Sequence, residues 1–306
     1  MAQNSNIGWT HHTANFWRGC TKVSLGCKNC YAETWSYRNP RNLGKWGPNG
    51  TRVLAAPQLE REISKWNAVA KAAGERHRVF CASLADVFEG EDTCQKAEEY
   101  ANVEVGRTRL FAAIAANTSL DFLLLTKRPQ NILKMVPDEW REAFPHNVWV
   151  GTSVENQDEA DTRIPELIRV PAPVLFLSCE PLLDEVDVTP YLCDFELGRG
   201  SGRYNINWLI TGGESGPKAR NCRTDDIRAL VEQCQAAQVP VFVKQLGAQP
   251  RWSEVARDQQ FLITLRDRKG EDMSEWPLDL RVQQFPTPKA LFYPKANTQV
   301  EAVAGA

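Results

Sequence analysis

The stretch DFLLLTKR, residues 121–128, decides the fold. Its apolar positions are continuous rather than alternating, which suits a parallel strand buried on both faces. It then turns abruptly polar at Thr126, Lys127 and Arg128. The same design recurs in RVFCASLADVF (78–88), NVWVGTSVEN (147–156), VLFLSCEP (174–181), NWLITGGES (207–215) and VPVFVKQLG (239–247). Helix-like stretches lie between these runs. AEEYANVEVGRTRLFAAIAANTS precedes 121–128, and TDDIRALVEQCQAAQ precedes 239–247, the latter with Thr224 as expected N-cap and acids in its first turn. Strand alternating with helix implies parallel βαβ units. A further strand expected near ANFWRGC (14–20) brings the count to about seven. The expected class is α/β, a full or partial (β/α) TIM-like barrel rather than an open doubly wound sheet. Residues 1–250 would form the barrel domain, and 251–306 a C-terminal extension packed on it with a mobile end.

The chain has 306 residues, 42% of them hydrophobic, and a net charge of −2, so a sizeable core is expected and the surface as a whole has no pull on nucleic acid. Contact with DNA or RNA needs a local basic patch. YRNPRNLGKWGPNGTR (37–52) offers one, with Arg38, Arg41, Lys45 and Arg52 interleaved with Tyr37 and Trp46 on a Pro- and Gly-rich loop. A merely solvated loop is the alternative. The sequence contains no apolar run long enough for a membrane span, and MAQNSNIGWTHH lacks a signal-peptide core, so a cytoplasmic protein with no membrane partner is expected. In that compartment the nine cysteines are reduced thiols or metal ligands. Cys81, Cys94, Cys179, Cys193, Cys222 and Cys234 are scattered and read as small buried apolar residues.

The other three are grouped in GCTKVSLGCKNCYAE (19–33), as Cys20, Cys27 and Cys30 with spacing C-x6-C-x2-C. Three soft donors are one short of a structural zinc site. His11 or His12 could supply the fourth ligand, which would make this a zinc-stabilised nucleic-acid-binding or repair module; His77 and His146 read as remote surface groups. The other possibility uses the vacancy. A 4Fe-4S cluster on three cysteines keeps one iron free to chelate S-adenosylmethionine.

The chain resembles a phage-associated family of radical S-adenosylmethionine-like proteins with the motif G-C-x-K-V-S-x-G-C-x-x-C-Y-A. The supporting segments span most of its length: SLADVF, LLLTKRP, VWVGTSVENQ, FLSCEPLL, ITGGESGPKAR, VFVKQLG and DRKGEDMSEWPLDLRVQQFP. The usual spacing of the wider superfamily is C-x3-C-x2-C; here the second gap matches and the first is longer. The resemblance implies a partial (β/α) barrel, a 4Fe-4S cluster on Cys20, Cys27 and Cys30, S-adenosylmethionine, an external electron donor and residence in the host cytoplasm. It also implies isomerase or mutase chemistry on an amino-acid-decorated thymine during phage DNA hypermodification. A radical enzyme acting on a small molecule or peptide is the remaining class.

In a parallel barrel the polar strand ends converge on one rim, where chemistry is placed. On that rim Tyr31, Ser83, Asp86, Thr126, Lys127, Thr152 and Ser153 are the expected cofactor contacts, although Lys127 reads equally as a partner of Glu155. Arg38, Arg41, Glu214, Ser215 and Gln245 are the expected substrate contacts, with Lys218 and Arg220 near a phosphate. Glu180, Glu214 and Lys244 are the expected catalytic groups. GGESGPKAR lacks the G-K-[ST] of a P-loop, so it reads as a substrate-side turn or as a tight packing turn. Only four histidines exist, none at an expected strand end, so a Ser-His-Asp triad is poorly supported, and Cys179 lacks a histidine partner.

Overall fold

Seven parallel strands form one curled sheet: β1 (His12–Thr13), β2 (His77–Cys81), β3 (Leu120–Thr126), β4 (Val148–Ser153), β5 (Val174–Cys179), β6 (Trp208–Gly212) and β7 (Val241–Gln245). Each lies beside its predecessor in the chain. A doubly wound sheet reverses its strand order at a switch point; here the order never reverses, and the result is a half-barrel. The computed structural model describes residues 2–3, 5–192, 206–253 and 260–287. Cys193 and the chain end ANTQVEAVAGA lie outside the described residues.

Alternate positions of the strands separate two cores. Phe80, Leu123, Trp149, Phe176, Trp208, Ile210 and Phe242 form the concave filling of the half-barrel. Val79, Phe122, Val150, Leu175, Leu209 and Val243 belong to the second core, shared with the helices. That division is the two-faced burial that continuous apolar runs require. The main helices are α1 (Tyr31–Arg38), α2 (Gln58–Ala73), α3 (Ala97–Ala116), α4 (Gln157–Leu167) and α5 (Thr224–Ala236). α2 buries Leu59, Ile63, Trp66 and Ala70, the stripe expected of a helix on a sheet.

The first strand is not at 14–20. Only His12–Thr13 pairs with β2, and Trp17–Arg18 instead forms a separate antiparallel ribbon with Val53–Leu54. Trp17 draws the chain off the sheet. Its ring lies so close over Gly106 of α3 that a Cβ there would stand 2.5 Å from it. Thr224 is the first residue of α5 rather than its cap, and its hydroxyl donates to the Arg251 carbonyl at 3.1 Å.

The open edges are covered. Ala2–Gln3 pairs antiparallel with β1. On the far side the C-terminal segment lies along β7: Gln283 bridges Phe242, and the Val243 amide donates to the Val282 carbonyl at 2.8 Å. Phe285 then contacts both Trp208 and Phe242, with ring centroids 5.6 and 5.3 Å away. The Arg78 guanidinium lies 3.9 Å over the same ring, so a side chain from the β7 edge meets β2 across the unpaired seam. Among the described residues no helix is long and apolar enough to cross a membrane.

His11, His12 and His77 gather at the N-terminal rim. His77 is remote from the cysteines, as expected, but is not a free surface group: its ring stacks on His11 at 4.9 Å, and its Nδ1 lies 3.2 Å from His12 Nε2. His12 also stacks on Trp66 at 4.4 Å, while His11 Nδ1 accepts the Arg78 amide at 2.8 Å. His146 is exposed, as expected. Burial, with Arg78 beside His11 and His77 beside His12, lowers both imidazoles to about 4. A folded pKa below the free value of 6.5 means that the unfolded chain binds more protons between those values. Their contribution is therefore full above pH 6.5 and is lost as the pH falls toward 4. The thermal midpoint is expected to drop across this window. His12→Phe, which keeps the stack on Trp66 but cannot protonate, is expected to flatten the drop in a pH series of melts.

Candidate metal centre at the barrel mouth

Beyond β1 and the ribbon, the chain crosses the C-terminal rim as the loop carrying Cys20, Cys27 and Cys30, and Cys30 leads directly into α1. Three carboxylates that follow alternate strands hold this loop.

The first is Glu89, after β2. Its carboxyl is fully buried and accepts Arg52 Nε at 2.8 Å, Arg52 Nη2 at 2.7 Å and the Thr21 amide at 3.0 Å. Arg128 completes this anchor. Its Nη2 donates to the Thr21 carbonyl at 2.7 Å, and its Nη1 lies 2.8 Å from Asp86 and 3.8 Å from Cys20 Sγ. The second carboxylate is Glu155, just past β4. It accepts Ser24 Oγ at 3.0 Å, Lys127 Nζ at 2.8 Å and Arg163 Nη1 at 2.8 Å. A Cβ on Gly26 would stand 2.2 Å from its Oε1, so only glycine lets the loop approach so closely. The third is Glu214, past β6. It accepts Asn29 Nδ2 at 3.0 Å and Arg220 Nη2 at 2.7 Å, and Arg220 Nη1 donates onward to the Leu25 carbonyl at 2.9 Å.

Burial alone would raise Glu155, Glu214 and Asp86. Lys127 and Arg163 instead hold Glu155 below the usual carboxylate range, Arg220 and Asn29 do so for Glu214, and Arg128 and Thr126 for Asp86. All three are anions at neutral pH, each matched to a cation.

The expected cofactor contacts are mostly part of this scaffold. Asp86 already accepts four hydrogen bonds, from Thr126, Lys127, Phe88 and Arg128, so it props the loop rather than offering an open carboxylate. Thr152 donates to the Thr126 carbonyl at 2.9 Å. Lys127 is the partner of Glu155. Tyr31 donates its hydroxyl to the Ser83 carbonyl at 2.6 Å, and Ser83 Oγ accepts from Asn15 at 2.9 Å. Ser153 is buried, and its carbonyl accepts from Arg163.

The substrate-side expectations divide. Arg38 and Arg41 are exposed and Ser215 is half-buried. Gln245 is buried and donates to the Gly213 carbonyl at 2.7 Å, so it braces the glycine turn instead of facing a ligand. Arg52 does not belong to the exposed basic patch, because it is 1% exposed and committed to Glu89, and Trp46 is half-buried. Residues 37–52 are also not wholly a loop, since α1 reaches Arg38 and Pro40–Leu43 forms a further turn of helix. Glu180 and Lys244 meet as an ion pair, each about one-sixth exposed (17% and 18%). Lys244 stands at a register shift between Val243 and Gln245; such a bulge re-aims a side chain. Sequence reasoning missed Glu89, Asn29 and Arg163 altogether. A carboxylate in FEGED reads as loop, and nothing local announces its distant partners.

The three loop thiols are half-buried, whereas the other described cysteines, Cys81, Cys94, Cys179, Cys222 and Cys234, are buried as expected. Burial raises Cys20, with Glu89 adding to the effect and Arg128 opposing it. Burial also raises Cys30, opposed by the amides of Glu33 and Ala32 at the start of α1. Among the described residues no group of three or more His, Cys, Asp and Glu side chains is set to hold a metal ion. A polynuclear cluster is wider than one ion, so its thiolates stand farther apart than the ligands of a single ion. Three soft thiol donors on one loop, with Arg128 Nη1 3.8 Å from Cys20 Sγ, have the donor chemistry such a group needs.

Fold and site together define an α/β half-barrel protein whose mouth is crossed by a clamped three-thiol loop. Residues 4–278 match the family model described as protein of unknown function (DUF5131), and the chain belongs to that family. Comparison with curated proteins and with solved structures found no match.

The clamp makes a prediction that separates its parts. Glu89→Ala leaves Arg52 buried and unpaired, and is expected to cost about 3–5 kcal/mol in a denaturant titration. Glu214→Gln should cost clearly less and show itself locally, as faster hydrogen exchange of the amides in 25–30.

Proposed function

We propose that this protein is a radical S-adenosylmethionine enzyme that holds a 4Fe-4S cluster through Cys20, Cys27 and Cys30 and isomerises a modified base of nucleic acid. The observation that carries the reading is the thiol loop itself: three half-buried sulfurs on one backbone pinned over a parallel barrel mouth. The competing zinc site loses its expected fourth ligand. His11 and His12 are engaged with His77, Arg78 and Trp66 at the opposite rim.

When bound, the cluster and its sulfonium cosubstrate would supply a 5′-deoxyadenosyl radical able to take hydrogen from an unactivated carbon, with the electron arriving from an external donor. The chain's own groups have simpler tasks. Arg128 orients Cys20 and offsets negative charge beside it. Phe80, Leu123, Phe176 and Ile210 make a dry floor beneath the rim. Glu180 and Lys244 form a partly exposed acid–base pair that can hold a substrate's polar group or move a proton. The cations of residues 22–45 lie in sequence on both sides of Cys27 and Cys30, which favours a polyanionic substrate over a free small molecule.

Anaerobic reconstitution with iron and sulfide is the test. The protein is expected to turn brown and, with S-adenosylmethionine and reductant, to release 5′-deoxyadenosine. Replacing any one of the three cysteines by Ala should abolish that release and lower bound iron. Replacing His11 and His12 together should leave iron content intact; loss of metal in that variant would overturn the reading.

A further inference from the structure

α1 is built inside out. It buries Ala32 and Ser36, while its aromatic side chains face solvent: Tyr31 is 45% exposed, Trp35 53% and Tyr37 74%. A helix on a globular surface normally turns such residues to the core. Tyr31 and Trp35, one turn apart, meet edge to face at 5.5 Å. Val23 and Leu25 of the thiol loop are likewise exposed. Its surroundings are cationic. Between residues 22 and 45 the chain carries Lys22, Lys28, Arg38, Arg41 and Lys45 against Glu33 alone, and Glu33 is paired with Lys22 at 2.6 Å. Arg38, Arg41 and Lys45 are exposed and make no ion pair among the described residues.

From this juxtaposition we propose that the face of α1 carrying Tyr31, Trp35 and Arg38 is a stacking platform for single-stranded nucleic acid, with the Tyr31–Trp35 pair under the bases and Arg38 and Arg41 on the phosphates. Adjacent aromatic rings followed by cations match a strand whose base faces are free and whose backbone is anionic. A duplex hides those faces within its stack. An acidic protein partner would satisfy the cations but not the rings. α1 starts at the residue after Cys30, so a strand lying along it reaches the thiol loop at its N-terminal end. The proposal rests on the nucleic-acid part of the functional reading and narrows it to an unpaired base.

Binding can be measured on the full chain without any cluster, by fluorescence anisotropy of a labelled oligothymidine and of the corresponding duplex. The single strand is expected to bind at least about tenfold more tightly. Trp35→Ala, at an exposed position, is expected to weaken it about tenfold, since each stacked base contributes roughly 1–3 kcal/mol. Arg38→Gln with Arg41→Gln should make the salt dependence shallower by about 1.4 in log–log slope, at roughly 0.7 per phosphate contact. Lys71→Gln, at the far end of α2, should change nothing. Equal affinity for duplex and single strand, or an unaltered Trp35→Ala protein, overturns the proposal. So does binding of an acidic polypeptide such as polyglutamate in place of DNA. Protein that takes up a cluster but not DNA defeats the platform alone; protein that binds DNA through Trp35 but never a cluster defeats the radical reading alone.

Discussion

The ion pair between Glu89 and Arg52 is the contact on which the mouth of this barrel depends. Neither side chain is exposed to solvent. Removing two opposite charges from water costs several kcal/mol each, and their attraction repays that only where the remaining donors and acceptors are also satisfied. Here Glu89 takes the Thr21 amide, and Arg52 reaches Thr21 Oγ1 at 2.9 Å. The satisfied pair therefore has the backbone of the thiol loop as one of its parts. Moving the loop at Thr21 would leave this buried pair short of two hydrogen bonds, and this is why a segment with little regular structure can hold its thiols in one arrangement.

Glu155 and Glu214 repeat the device at Ser24 and Asn29, so the loop is held along its length from three places on the rim. The parallel sheet makes that possible. All its strands end on the same side, and residues just beyond β2, β4 and β6 converge without contacts between the strands that carry them. Below the rim the concave face is apolar and rich in aromatic rings; above it Glu89, Glu155 and Glu214 are each matched to a cation. The contrast concentrates polar groups in a thin layer beneath the loop, where Glu180 and Lys244 also lie.

Much of this was readable from residue order. Continuous apolar runs marked strands covered on both sides, and their polar ends marked the rim. The difference at 14–20 has a specific origin: FWRG does form extended chain, but it pairs with Val53–Leu54, and the Trp17 ring packs over Gly106 of α3. The sulfur spacing was equally visible, because close cysteines are informative without any fold. Arg52 was misread for the opposite reason. It stands in a basic loop and looked like a surface cation, whereas Glu89 takes it out of solvent. His77 was misjudged similarly, since its partners are sixty-odd positions earlier in the chain.

The order of residues determined the class of fold, the number of strands, the side of the sheet that bears polar groups and the grouping of three thiols in one loop. These depend on period, composition and short spacings, which a linear chain displays directly. Tertiary structure decided which charges face one another, which cations stay in water and which end of the barrel the histidines occupy. Pairings such as Ser24 with Glu155 or Asn29 with Glu214 join segments more than a hundred positions apart. No local rule connects such segments; only the curvature of the parallel sheet brings them within a hydrogen bond of each other.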